Sequence, residues 1–253
     1  MLIVISPAKS LDFSRQEQTL RATDFHFNTE AAVLVSVLKK YTPSKLARLM
    51  RINPKLAQLN YERYQEWEPQ ATDRAKQALL SFRGDVFLGI QADTFSDEDL
   101  LFAQDHLRIL SGLYGVLRPL DMMQAYRLEM GISMKFRRYK NLYHFWDSKI
   151  ADWLLQDPSL QDQLLINLAS QEYFKVLEGR LPGVRIITPV FKEFRNGEYK
   201  FIHVFGKKAR GLMTRFIIDR KISNPEEIKL FDYEGYYYND RLSEGDEWVF
   251  TRG

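Results

Sequence analysis

Cysteine is absent from the 253 residues, which removes disulfides, thiolate catalysis, Cys-ligated zinc and iron–sulfur clusters together. Only four histidines occur, His26, His106, His144 and His203, and their scatter does not suggest a His-rich metal cage. No segment points to a haem, another cofactor or a metal site, and none is expected. No apolar run approaches the ~20 residues of a membrane span. The first residues, Met1-Leu-Ile-Val-Ile-Ser6, lack a basic flank and a long apolar core, so they read as a first strand and not as a signal peptide. A cytoplasmic chain with no membrane partner is therefore expected. Glycine and proline, at 13 and 9, are too few for a disordered or collagen-like chain. What is present is an ordinary globular composition, 45% hydrophobic and 27% charged, in a length that suits one large domain.

The net charge of +3 implies no partner, but the distribution of charge is uneven. Between positions 39 and 63 stand seven basic residues, Lys39, Lys40, Lys45, Arg48, Arg51, Lys55 and Arg63, against Glu62 alone. Between 200 and 221 there are again seven, Lys200, Lys207, Lys208, Arg210, Arg215, Arg220 and Lys221, against Asp219 alone. Lys135, Arg137, Arg138 and Lys140 add a cluster without an acid. If these segments meet in space they form a patch attractive to phosphate; otherwise they are three solvated faces.

Along the chain, Leu2–Ile5 is an apolar strand ended by Ser6-Pro7. Thr29 can cap a helix from Glu30 to about Lys40. Thr42-Pro43 and Asn53-Pro54 are two hydroxyl- or amide-cap and proline starts, opening helices to about Met50 and Trp67. Asp85–Ile90 reads as a strand, and Ser96 caps an acidic-start helix to about Leu110. Ser111–Gly115 reads as a packed turn, 147–155 as a helix, and Gln163–Leu168 as a strand followed by a short helix with Ser170 as a candidate cap. Asn196-Gly197 between apolar runs predicts a type I′ hairpin whose second strand runs Tyr199–Phe205, followed by a helix from about Lys207 to Arg220. A short helix after Ser223 and a closing strand at Glu247–Thr251 complete the pattern. Strands and helices alternate without a clean βαβ repeat or an internal duplication. The expectation is one mixed α/β domain over 1–253, with a central mixed sheet and an inserted helix-hairpin-helix element over 42–67.

That element is the first candidate for chemistry. Its turn, Arg51-Ile52-Asn53, and the start of its second helix offer free backbone N–H groups beside Arg48, Arg51 and Lys55, as a phosphate-binding helical hairpin would. Such hairpins usually carry glycines in the turn, and this one has none. The alternative is an ordinary helical hairpin packing Leu46, Leu49, Leu56 and Leu59 into the core. The second candidate is an anion pocket. Ser6-Pro-Ala-Lys9 and Ser170-Gln-Glu-Tyr173 each follow an apolar strand, where ligands of open α/β sheets bind. If the strands are neighbours, Lys9, Arg127, Glu129, Glu172, Lys208 and Arg210 can meet around an anionic ligand, with a carboxylate as base. The Ser-x-x-Lys match of Ser6 and Lys9 is too common a pattern to assign a nucleophile. Tyr143-His-Phe-Trp146 suits base stacking or core packing.

Taken together, Ser6-Pro-Ala-Lys9, Leu49-Met-Arg-Ile-Asn-Pro-Lys-Leu-Ala-Gln-Leu-Asn60 and Leu107-Arg-Ile-Leu-Ser-Gly-Leu-Tyr-Gly115 resemble the YaaA family of peroxide-stress proteins. So do Arg118-Pro-Leu-Asp121, Tyr126-Arg-Leu-Glu-Met-Gly131, Asn141-Leu-Tyr143 with Phe145-Trp146, Asn167-Leu-Ala-Ser170 with Glu172-Tyr173, and Lys208-Ala-Arg-Gly-Leu-Met213. The matches run in order from Met1 to Phe250-Thr-Arg252. The resemblance implies a cytoplasmic bacterial protein that protects against hydrogen peroxide by limiting free iron. It implies a single α/β domain holding a helix-hairpin-helix element and a basic cleft able to bind double-stranded DNA. It supplies no established reaction. Without cysteine, the protection cannot run through a peroxidatic thiol.

Overall fold

Leu2–Ile5 (β1) is apolar and wholly buried, so it needs cover on both faces and a partner strand on both edges. A computed structural model describes residues 1–14, 22–70 and 73–253. After β1 come β2 (Ser10–Leu11), α1 (Asn28–Leu38), α2 (Pro43–Met50) and α3 (Pro54–Glu66). Then follow β3 (Lys76–Gln77), α4 (Ala78–Ser81), β4 (Phe82–Arg83), α5 (Asp85–Ile90) and α6 (Asp97–His106). The middle of the chain supplies β5 (Leu107–Ser111), β6 (Gly115–Leu117), β7 (Met122–Met123), α7 (Leu142–Trp146) and α8 (Lys149–Leu155). The last part supplies β8 (Leu164–Leu168), α9 (Gln171–Phe174), β9 (Arg185–Arg195), β10 (Glu198–Lys200), α10 (His203–Asp219), β11 (Tyr237–Tyr238) and β12 (Glu247–Arg252).

The result is the mixed α/β architecture expected, built on an 8-stranded sheet in the order β11-β12-β9-β8-β1-β5-β6, with β10 beside β9. Five neighbouring strands are parallel: β5, β1, β8, β9 and β12. The edges are antiparallel, β6 folding back on β5 and β11 on β12. β1, β5 and β8 are buried along their whole length. β1 and β8 read as apolar runs for that reason. β5, with Arg108 inside it, lies where the sequence reading extends the Ser96 helix to about Leu110, and that helix ends at His106. β9 is longer than its contact with β8 and alternates buried with partly exposed residues over most of its length. Asn196 and Gly197 both have positive φ, 52° and 85°, as a type I′ turn between β9 and β10 requires.

Several elements differ from the sequence reading. Asp85–Ile90 is helix α5, not a strand: Val86, Phe87 and Ile90 are buried while Leu88 is 59% exposed. A six-residue apolar run does not distinguish the two periods by itself. The predicted helix over 147–155 is α8, starting at Lys149; a separate short helix, α7, precedes it and is broken at Asp147, whose φ is 44° and ψ −120°. The second hairpin strand ends at Lys200 and α10 begins at His203, so the strand does not reach Phe205 and the helix starts four residues before Lys207. α1 starts at Asn28 with Phe27 at its cap position and no side-chain cap from Thr29. The Ser96 cap is present as a full capping box with Asp99. The Ser111–Gly115 turn is packed as expected, with the Ser111 hydroxyl accepting from the Tyr114 N–H and bonded to the Tyr126 hydroxyl.

α10 crosses α5 at unusually close range. A Cβ built on Gly211 lies 1.9 Å from the Val86 carbonyl oxygen, and one on Gly89 lies 2.5 Å from the Lys208 carbonyl oxygen. Two glycines thus let the helix backbones touch, and this contact sets where α10 presents its polar face.

Candidate functional site

The two strands that were expected to flank a pocket are neighbours. β1 pairs with β8 in parallel register, Ile5 opposite Leu168. After β1 the chain moves to β5 on one side; after β8 it moves to β9 on the other. Connections that leave adjacent strands in opposite directions open a crevice beyond their C-terminal ends. The two departing loops are tied across it: the Ser170 N–H donates to Ser6 Oγ at 2.8 Å, and the two hydroxyls lie 3.1 Å apart. Ser170 therefore serves the loop contact and does not cap α9 with its side chain.

A cavity of about 1050 Å³ fills this crevice. Its floor is Ser6, Asn167 and Ser170, one wall is Glu172, Tyr173 and Phe174, and α10 contributes His203, Lys207 and Arg210. Asn167 is buried, its amide donating to Thr188 Oγ1 at 3.4 Å and its carbonyl accepting from the Ala169 N–H at 3.1 Å. Burial pushes the Tyr173 hydroxyl well above its usual pKa. Burial also pushes the Arg210 guanidinium down. A second recess of about 500 Å³ shares Lys9 and Glu172 with the first and is lined further by Arg48, Met50, Arg51, Glu129 and Ser133. The helical turn therefore borders the cleft.

Most of the six expected pocket residues do come together. Lys9, Glu172 and Arg210 line the large cavity, and Glu129 lines the recess. Arg127 stands behind Glu129, its Nη2 2.8 Å from Glu129 Oε1, and Lys9 Nζ lies 3.6 Å from the same oxygen. Arg127 Nε and Glu129 Oε2 are buried and have no hydrogen-bond partner among the described residues. Glu172 accepts from the Gly131 N–H at 2.9 Å. Lys208 is the exception: it does not line the cavity and pairs with Glu234 at 2.5 Å. Lys207 takes its place, because a helix starting at His203 puts 203, 207 and 210 on one face. Asn167 and His203 were missed as site residues; the signal for Asn167 was a lone amide inside the apolar run Leu164–Leu168.

The helical pair beside the cleft is defined by its caps. Thr42 Oγ1 accepts from the Lys45 N–H at 3.2 Å and Asn53 Oδ1 from the Leu56 N–H at 2.8 Å. Between them Arg51 adopts φ 51°, ψ 51°, the left-handed conformation that glycine supplies at most helix ends. The turn thus forms without the glycine whose absence was noted. Replacing Arg51 with Gly is expected to raise stability by up to about 1 kcal/mol, which equilibrium urea unfolding of the two forms checks. The buried face of α3 is Ala57, Asn60 and Tyr64, one position off the expected Leu56 and Leu59, and Leu59 is 41% exposed.

The seven basic residues from 39 to 63 divide by environment. Lys39 Nζ donates to the Trp67 carbonyl at 3.2 Å, Lys45 sits 3.7 Å over the Tyr41 ring, and Arg63 bonds Asn60, its pKa lowered by burial. Lys40, Arg48, Arg51 and Lys55 have no side-chain partner among the described residues, and all four are exposed. Lys135, Arg137, Arg138 and Lys140 follow directly on the Gly131–Ser133 wall of the recess and carry no carboxylate partner among the described residues. The third segment is largely neutralised within the protein: Lys200 pairs with Glu198, Lys208 with Glu234, Arg215 with Asp219 and Lys221 with Asp99. Tyr143-His-Phe-Trp146 packs into the core instead of offering a stacking surface, with Phe145 and Trp146 buried.

Among the described residues, no group of three or more His, Asp or Glu is arranged to hold a metal ion, and no helix is long and apolar enough to cross a membrane. The family model described as peroxide stress protein YaaA matches residues 1–242. A UPF0246 protein of Clostridium botulinum is 50% identical over 255 residues, covering 99% of each chain. UPF0246 proteins of Colwellia psychrerythraea and Saccharophagus degradans are each 50% identical over 254 residues, covering 100% of this chain and 99% of their own. Matched over nearly its whole length by that model and by relatives at half identity, the chain belongs to the YaaA family of peroxide stress proteins.

Proposed function

We propose that the chain binds double-stranded DNA through its phosphates, without reading sequence, using α2, α3 and the turn between them as a helix-hairpin-helix element at the edge of the cleft. The observation that carries this reading is the group of cations Arg48, Arg51 and Lys55 left without partners at that turn, with Lys40 unpartnered just ahead of α2. Cations that no carboxylate neutralises are what an interface with a polyanion needs. Lys39, Lys45 and Arg63 support the element from behind, and the cluster from Lys135 to Lys140 extends the positive surface beyond the recess. On this reading the chain acts in the cytoplasm and helps limit iron-driven oxidative damage under peroxide.

The test is fluorescence anisotropy of a labelled duplex at several salt concentrations. If four to six phosphates are neutralised, log K falls against log salt with a slope of roughly −3.6 to −5.4. Scrambling the duplex sequence should leave that slope unchanged. A slope near zero, or no binding at low salt, overturns the proposal.

A further inference from the structure

The large cavity has properties that duplex binding does not use. It lies at the C-terminal ends of β1 and β8 with about 1050 Å³ of space, at the upper end of the range for sites that enclose small molecules. On its α10 wall stands Arg210, half-buried and without an ion-pair partner among the described residues; its one ring contact is Phe201, 6.0 Å away. A guanidinium partly withdrawn from water without a carboxylate beside it favours an anion brought to it. Elsewhere this protein pairs its buried arginine, Arg108, with Asp157 at 2.6 Å. Lys207 is one helical turn away on the same face, and His203 one turn further, so positive and ionisable groups are ranked along one side of the cavity.

The rest of the lining includes groups of different character. Glu172 and the buried Asn167 offer oxygen acceptors and an amide, and Tyr173 and Phe174 offer aromatic edges. Two cations on α10, acceptors and rings elsewhere on the lining, and space for a drug-sized molecule match a ligand with a strongly anionic group on a flat, hydrogen-bonding body. A nucleoside monophosphate has that layout. A simple inorganic anion would leave most of the cavity empty.

We propose that this cavity is a binding site for a nucleoside monophosphate unit, its phosphate held by Lys207 and Arg210 and its base near Asn167, Glu172 and Tyr173. The unit has two sources, a free mononucleotide or a nucleotide extruded from bound DNA, since the cavity shares Lys9 and Glu172 with the recess below the helical turn. This inference does not depend on duplex binding.

Isothermal titration calorimetry with the four ribonucleoside monophosphates, their parent nucleosides and inorganic phosphate tests the free source. At least one monophosphate should bind tenfold or more tightly than its nucleoside. Arg210→Met and Lys207→Met should each weaken it at least tenfold. Lys207 is exposed, so its variant folds regardless. Arg210→Met should melt close to the wild type, because the side chain is half-buried and no protein carboxylate pairs with it. A duplex carrying 2-aminopurine tests the second source: a fluorescence rise on binding that Arg210→Met abolishes assigns the nucleotide to DNA. Silence in both experiments at millimolar ligand overturns the proposal, as does binding that neither variant weakens. Because the calorimetry contains no DNA, its outcome is separate from that of the duplex titration.

Discussion

Reversing Arg48, Arg51 and Lys55 to Glu together is expected to lower duplex affinity by about 10²–10³-fold at about 0.1 M salt. Each phosphate contact contributes about 0.9 to the slope of log K against log salt, so loss of three contacts flattens it by about 2.7. Extrapolated from molar salt to about 0.1 M, that difference alone is about 500-fold, and the three introduced carboxylates add repulsion. The folded state should be untouched. None of the three side chains has a partner among the described residues, and Glu is no worse than Arg in the left-handed conformation of position 51. Lys208→Glu is the matched control: it reverses a charge of the third basic segment that Glu234 already neutralises, and should cost little affinity. Anisotropy at three salt concentrations separates the outcomes. Retention of wild-type affinity by the triple variant would move the duplex site away from the helical turn, to the cluster at 135–140 or to the cleft itself.

How much of this was readable in the sequence depends on the range of the forces involved. Local chemistry was legible. Pro43 and Pro54 behind Thr42 and Asn53 marked both helix starts to the residue, because a cap and a proline act within one turn. The Asn196-Gly197 hairpin and the Ser96 capping box were legible for the same reason. Two buried parallel strands, Leu2–Ile5 and Leu164–Leu168, announced themselves as apolar runs, while Leu107–Ser111, interrupted by Arg108, did not. Asp85–Ile90 did not, because its helical burial is decided by α10 lying against it, more than a hundred residues away in sequence. The site shows the same division. Ser6, Lys9 and Glu172 line one cavity, since residues just after neighbouring parallel strands lie together at those strands' C-terminal ends. Lys207 lines the cavity in place of the expected Lys208, because 203, 207 and 210 share one face of α10 while Lys208 turns to Glu234. That β1 and β8 are adjacent, and that their connections diverge, is a property of strand order, which no local pattern records.

Gly211→Ala should destabilise the protein by about 3 kcal/mol or more, although alanine is otherwise the better helix former by about 1 kcal/mol. The sign is decided by the crossing of α5 and α10. The added methyl carbon would lie 1.9 Å from the Val86 carbonyl oxygen, 2.8 Å from its carbon and 3.0 Å from Gly89 Cα, all of them backbone atoms. No rotamer relieves a clash with backbone, so the two helices must separate and uncover buried residues such as Phe87, Ile90 and Met213. At about 2–4 °C per kcal/mol for a chain of this size, the melting temperature should fall by roughly 6–12 °C. Gly206→Ala on the same helix supplies the contrast. Its methyl meets only the ring of Phe201, 2.6 Å away, and that side chain is 42% exposed and free to turn aside. Its cost should stay within about 1 kcal/mol. Urea and thermal unfolding of the two variants read the difference directly. Equal stability of Gly211→Ala and wild type would mean that α5 and α10 do not cross at this distance. The cleft would then lose its account as well, since the same contact fixes the face on which Lys207 and Arg210 stand.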